Sequence, residues 1–198
     1  ETLVGHTIMV DAGIYYDHVV VYKAVSLMGE NRSNTIVDGN DTGTVIYVTA
    51  DNVNITGFTV QKGGKTTGNS GIHVDNSGGV NISHNIIRNN FRGILIKDST
   101  NIIVLDDEVL NSEYGIHLYY SSNSVFRGVK VSNNSRGFYF SYSGGHVLSS
   151  NTVSNNEDGI SMFVSNGNVI FHNNFVNNTK PVTSSDSVNS WDNSVEGN

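Results

Sequence analysis

Eight side chains able to bind a ligand or move a proton, His73, Asp75, Lys97, His117, Tyr119, Tyr120, Tyr139 and Tyr142, fall into three columns of a grid whose rows are 22 residues apart. Tyrosine and histidine carry an apolar ring with a polar tip, a combination suited to stacking on sugar rings. An imidazole or phenol also accepts a proton and a lysine nearby neutralises a carboxylate, so His117 or Tyr119 with Lys97 would make a base-and-cation set. The plainer reading is that aromatic residues fill strand positions because strands favour them.

Other chemistry has less behind it. Hydrolysis of a glycosidic bond needs two carboxylates at a defined separation, and Asp75 and Asp98 stand in different columns. Asp106, Asp107 and Glu108 offer the oxygen ligands that Ca2+ takes, yet consecutive strand residues point to opposite faces. His84 and His172 share a column but lie four rows apart, roughly 19 Å at the spacing of paired strands and too far to share a metal. The run Gly63-Gly64-Lys65-Thr66 is not a phosphate loop, because Thr59 stands where that motif needs its first glycine and no helix follows. We expect no catalytic residue, no resident metal and no cofactor, with Ca2+ at the 106–108 cluster the weakest of the alternatives.

The grid is set by Gly71, Gly93, Gly115, Gly137 and Gly159. A fixed period of this size marks one structural unit stacked on copies of itself. Counting each glycine as position 0, positions 1, 3, 11 and 16 are apolar in every row, beginning with Ile72, Val74, Ile82 and Ile87. Such alternation predicts short strands near positions 1–4, 9–12 and 14–17, their alternate side chains turned inward. Three strands per 22 residues, joined by Asn, Ser and Gly turns, describe one coil of a right-handed, single-stranded parallel β-helix, an all-β solenoid. About eight coils at roughly 4.8 Å each give a rod of about 40 Å.

Eighteen residues after each glycine comes Asn89, Asn111, Asn133, Asn155 or Asn177. Asparagine tolerates the left-handed turn conformation, and its amide can bond the amide one coil above, so these five are the expected structural ladder. Position 14 (Asn85, Asp107, Val129, Asn151, Asn173) predicts a second, partly buried ladder. Upstream, Val45, Tyr47, Ile55 and Val60 fit the apolar columns if Thr44 takes position 0. We read a single domain, 1–198, with irregular opening coils over 1–43 and regular coils over 44–180. A loop at 62–70 interrupts the regular part, and a polar closing segment, 181–198, begins where Pro181 replaces the glycine.

The net charge of −7 and the 11 Lys and Arg argue against a nucleic-acid partner. There is no cysteine, hence no disulfide framework, and no apolar run of membrane-spanning length. The chain starts at Glu1 without a signal peptide, as a processed chain would. Six glycosylation sequons, at Asn31, Asn40, Asn54, Asn81, Asn133 and Asn177, are compatible with export. Neither end shows a cap, and an uncovered strand edge is a template for pairing with another chain.

The rows GIHVDNSGGVNISHNIIRNN and GISMFVSNGNVIFHNNFVNN resemble the right-handed parallel β-helix repeats of NosD-like proteins and sugar hydrolases. The opening GIYYDHVVVYKAVSLMGENRSNTIVDGN and the ending WDNSVEGN resemble an archaeal cell-surface branch of that group. In such β-helix enzymes the substrate lies along the outer face of the strand at positions 1–4, and that resemblance marks His73, Asp75, Lys97, His117, Tyr119, Tyr120, Tyr139 and Tyr142 as candidate carbohydrate-binding residues. The copper association of NosD-type proteins finds no matching ligand set in any single row. The scaffold carries many functions. We expect an extracellular structural protein of a surface layer or sheath that assembles with itself through its open ends, and not an enzyme. The alternative is a carbohydrate-binding or polysaccharide-processing module of lyase or epimerase type, with a cell-envelope glycan as partner.

Overall fold

A computed structural model describes residues 3–195 as an all-β solenoid of three sheets, each of eight parallel strands. Consecutive strands enter successive sheets, so each strand pairs with the strand one coil away. The register holds the 22-residue step: Ile72, Ile94, Ile116, Phe138 and Ile160 are direct neighbours in the third sheet. Their column and those of Val74, Ile82 and Ile87 form a continuous buried core. Burying each such side chain stabilises the fold by about 1.5–3 kcal/mol. No helix among the described residues is long and apolar enough to cross a membrane.

The repeated glycine is a packing requirement. A Cβ added to Gly115 would come within 2.6 Å of the Gly137 carbonyl oxygen and 2.7 Å of a Val131 methyl. Each coil from Gly71 to Asn177 also turns three corners built on left-handed residues. In the coil that starts at Gly115 these are Tyr120 and Asn123 at the first, Gly128 at the second and Asn133 at the third.

Three expectations need correction. First, the structural ladder runs one residue later than Asn89, Asn111, Asn133, Asn155 and Asn177. Those five take left-handed backbone (φ 53° to 57°) and are exposed. The buried amides follow them: Ser112 N–H donates to Asn134 Oδ1, Asn134 N–H to Asn156 Oδ1, and Asn156 N–H to Asn178 Oδ1. A residue in the left-handed region swings its side chain outward, and the next one returns to the interior. The second ladder lies where position 14 put it, with Asn85 N–H donating to Asp107 Oδ1 and Asn151 N–H to Asn173 Oδ1.

Second, Ile46 and Val48, not Val45 and Tyr47, pair with Ile72 and Val74, while Ile55 and Val60 keep the expected columns. The turn between these strands is one residue shorter in this coil, and a one-residue slip exchanges inner and outer faces. Tyr47 therefore stands outside, beside His73. Third, Pro181 does not end the pattern. It lies within the strand Lys180–Ser185, which pairs with Asp158–Phe163 at the sheet's edge, where a missing N–H costs nothing. On this last turn Ser187 Oγ accepts from Ser165 N–H and Asn189 Oδ1 from Asn168 N–H, so side-chain bonding between coils continues past Pro181. Residues 196–198 of the closing segment lie outside the described residues.

Candidate functional site

All eight candidate residues lie on the outer face of the third sheet or on the corner that follows it, and they fall into connected groups. In the first, Tyr47 OH donates to Asp75 Oδ2 at 2.7 Å, and Lys97 Nζ donates to Asp75 Oδ1 at 3.3 Å. Lys97 also pairs with Asp98, and the Tyr47 ring packs on His73. Burial alone would raise the Asp75 carboxyl, but hydrogen bonds from Tyr47 and Lys97 outweigh it and hold the group below its usual value. The bond to Asp75 and, secondarily, burial raise Tyr47.

The second group is built on the column Arg92, Tyr114, Arg136. The Arg92 guanidinium lies over Phe91 and Tyr114, and that of Arg136 over Tyr114 and Tyr139. His117 sits in the middle, stacked on Tyr114 and packed against Tyr139. Arg92 Nε donates to His117 Nδ1 at 3.0 Å, which leaves the proton of the neutral ring on Nε2, a buried atom with no partner. Burial first, then the charges of Arg92 and Arg136, push His117 down to about 3. Burial likewise brings His73 to about 4.

Through Tyr119 the second group joins a third. Tyr120 and Tyr142 are 52% and 42% exposed, and their rings lie parallel, 4.9 Å between centroids and 7° between planes. Tyr119 meets Tyr120 edge-on, and Phe163, 38% exposed, meets Tyr142 the same way. The rings thus face one another and the guanidiniums, so they offer a ligand mainly edges and hydroxyls. That revises the expectation of flat ring faces open for stacking.

Of the base-and-cation set, Tyr119 stands directly beside Lys97 in the register, but neither His117 nor Lys97 is free. His117 is 8% exposed with its Nδ1 already engaged, and Lys97 is held by two carboxylates. Four residues of the face are not evident from the columns, and Phe163 stands in an outward column without being a candidate. Tyr47 is hidden by the register slip. Arg92, Tyr114 and Arg136 stand just before the glycine, outside the columns treated as outward; an alternating Arg, Tyr, Arg column was the available signal.

Another cleft, of about 490 Å³, lies away from this face and is lined by Arg32, His84, Asp106, Glu108 and Lys130 among others. Two of its acids lie against basic side chains. Glu108 meets Arg32 at 3.3 Å and Lys130 at 3.2 Å, and Asp106 meets His84 at 3.7 Å. Asp107 turns into the ladder instead, so the three acids do not converge on one ion.

The fold and this face define a parallel β-solenoid with one decorated sheet. The chain belongs to the NosD family, described as periplasmic copper-binding protein, whose model matches residues 2–198. No curated protein matches it in sequence. Among solved structures it is similar to the catalytic domain of a GH87 alpha-1,3-glucanase in complex with tetrasaccharides (14% identity, TM-score 0.57, 91% of this chain and 35% of that one). It is also similar to the Dettilon tailspike protein (14% identity, TM-score 0.58, 84% and 43%) and to a pectin methylesterase from Yersinia enterocolitica (11% identity, TM-score 0.59, 92% and 85%). The chain thus spans about a third of the glucanase chain and under half of the tailspike. At these identities the likeness is one of fold. The side chains do not fit a copper centre: among the described residues no three His, Cys, Asp or Glu are placed to hold a metal.

Proposed function

We propose that the outer face of the third sheet binds a polysaccharide lengthwise and does not cleave it. One observation carries this reading: aromatic and hydrogen-bonding groups run from Tyr47 to Phe163 across six consecutive strands, about 24 Å at the strand spacing. The names of similar structures, a glucanase with bound tetrasaccharides and a pectin methylesterase, support a glycan as ligand. Recognition runs through tyrosine hydroxyls, ring edges and guanidinium groups. Catalysis is left out because the imidazoles are buried and neutral and the acids of this face are paired. The family's description as periplasmic supports a place outside the cytoplasm, with a cell-envelope glycan as the natural ligand. The test is affinity electrophoresis or a glycan array with the wild-type chain and with Tyr119→Ala and Tyr139→Ala. Each variant is expected to lose about tenfold or more in affinity, the range of a central tyrosine at an interface. A wild-type chain that retains no glycan, or one that releases new reducing ends from a bound polymer, would sink the reading.

A second reading has its own observation. The opening strands Thr7–Val10, Gly13–Tyr16 and Val19–Val21 each pair on one side only among the described residues, and Met9, Ile14, Tyr16, Val20 and Tyr22 are exposed there. End-to-end assembly through this edge would build a filament or layer. Sedimentation over a concentration series checks it, with Val20→Lys expected to abolish association. A strictly monomeric wild type removes it.

A further inference from the structure

Within that glycan-binding reading, the cations of the face are not alike. Lys97 is held by Asp75 and Asp98, and Arg136 is shared between the Asp158 carboxylate and the Tyr114 hydroxyl. Arg92 has no carboxylate partner among the described residues. Its Nε donates to His117 and its Nη1 to the Thr67 carbonyl, both uncharged acceptors, while its plane rests on Phe91 and Tyr114. A half-buried guanidinium without a counter-ion is unusual in a chain of net charge −7. Charges enclosed by protein normally find a partner, because their desolvation is otherwise uncompensated.

The surroundings of Arg92 are rich in donors. His117 keeps a proton on Nε2, buried with nothing to receive it, and the Thr67 carbonyl is already used by Arg92 itself. The loop 64–69 closes over this spot, hydrogen-bonded back to the coil below through Gly64 N–H and the Gly43 carbonyl. A place that holds a fixed guanidinium fork beside a second donor is built to receive an oxyanion, and such charge-assisted bonds are the strong ones.

We propose that the ligand is an anionic glycan, and that Arg92 takes its carboxylate or sulfate group beside the loop 64–69. This rests on the face being a glycan-binding surface, yet it fails separately. The bulk charge of the protein repels polyanions, so any preference for them has to be local.

Titration calorimetry on the whole chain would compare a polyuronate, a sulfated galactan, a neutral glucan and polyglutamate. Binding of the polyuronate or the sulfated polymer about tenfold or more tighter than the neutral glucan is expected, weakening with added salt. Which of the two binds tighter identifies the anionic group. Arg92→Gln is expected to remove that preference, lowering affinity for the charged polymer about tenfold more than affinity for the neutral glucan, and Arg92→Lys to retain part of it. Because Arg92 also anchors the loop, a merely structural role would lower affinity for charged and neutral polymers alike and would be matched by Arg92→Lys. Equal affinity for neutral and charged glycans overturns this inference and leaves the glycan-binding reading standing. Polyglutamate binding as tightly as polyuronate overturns it in favour of bulk charge. Absence of binding to every glycan overturns both.

Discussion

The corner that follows the second sheet and the corner that follows the third ask the same thing of the backbone and receive different side chains. At the first, Asn89, Asn111, Asn133, Asn155 and Asn177 take φ between 53° and 57°. At the second, φ lies between 47° and 52°, but the residues are Asn76, Asp98, Tyr120, Tyr142, Val164 and Asp186. Asparagine and aspartate enter the left-handed region at little cost, other residues at about 1–2 kcal/mol, and a β-branched residue there is an outlier. The asparagine corner obeys the local rule in the five coils from Asn89 to Asn177 and needs no explanation there beyond the fold; one coil below, Lys62 takes the same place at φ 52°. The tyrosine corner breaks it where two exposed rings stack on each other. Breaches of local consistency are where function is to be sought.

The largest effect expected comes from the interior of the asparagine corner. Asn134 accepts from Ser112 N–H and donates through Nδ2 to the Val109 carbonyl and Asn156 Oδ1. Asn134→Leu leaves those buried groups unpaired and should cost about 3–5 kcal/mol in urea denaturation. Asn133→Leu, one residue earlier and exposed, meets only the left-handed penalty and should cost about 1–2 kcal/mol. Equal costs would mean that the ladder does not run through Asn134.

Next comes the odd member of the second ladder. Asn85, Asn151 and Asn173 each donate Nδ2 to a carbonyl one coil below, those of Ile55, Phe126 and Leu148. Asp107 occupies the same position, where the matching carbonyl is that of Ile82, and its Oδ2 is buried without a partner. A carboxylate cannot donate there, whereas a protonated carboxyl can. Burial, opposed by the hydrogen bonds from Asn85, raises Asp107 from 3.8 to about 7. A carboxyl whose folded value lies above its unfolded one stabilises the fold while protonated. Its contribution is therefore complete below about pH 4 and lost as the pH climbs to about 7. Asp107→Asn should thus exceed the wild type by about 2–4 kcal/mol above pH 7, a gain that shrinks on acidification. Asp75 and Asp38, held low, give the opposite slope in both proteins and cancel in the comparison. A difference independent of pH would show that Asp107 is ionised in the fold throughout.

Val164 tests the rule without a functional candidate at stake. It has φ 47°, and nothing in the structure explains a valine there. Val164→Gly should raise the stability by about 1 kcal/mol, read as a higher urea midpoint. A loss would show that its side-chain contacts outweigh the strain.

The same contrast explains what the sequence could disclose. Apolar columns and the glycine step come from an interior that repeats identically, so Ile72, Val74, Ile82 and Ile87 and everything stacked on them were legible from spacing alone. The outer face was legible only as a list. Tyr120 and Tyr142 stood in view, but spacing does not say that their rings lie parallel, or that Arg92 lacks a counter-ion. Tyr47 was hidden by a single missing residue in one turn, because outer and inner faces alternate with a period of two. The ladder was misplaced for a related reason: Asn89 and Asn90 are adjacent and alike, and only the backbone conformation decides which of them points inward.

The smallest expected change in stability carries the sharpest test of the tyrosine corner. In Tyr120→Asn the left-handed strain falls by about 1 kcal/mol or more, while the contact with Tyr142, worth about 0.5–1.5 kcal/mol, is lost. The two nearly cancel, so the urea midpoint should move by less than the equivalent of about 1 kcal/mol. If the ring is there for the fold, its removal should matter to stability and to nothing else. If it is there for a ligand, glycan affinity should fall by about tenfold while the fold stays as stable. The double variant Tyr120→Asn with Tyr142→Asn strengthens the comparison, since no stacked pair then remains to be disrupted and both corners carry the residue that the backbone prefers. A protein equally stable and equally able to bind would reduce the tyrosine corner to an unexplained exception, of the same kind as Val164.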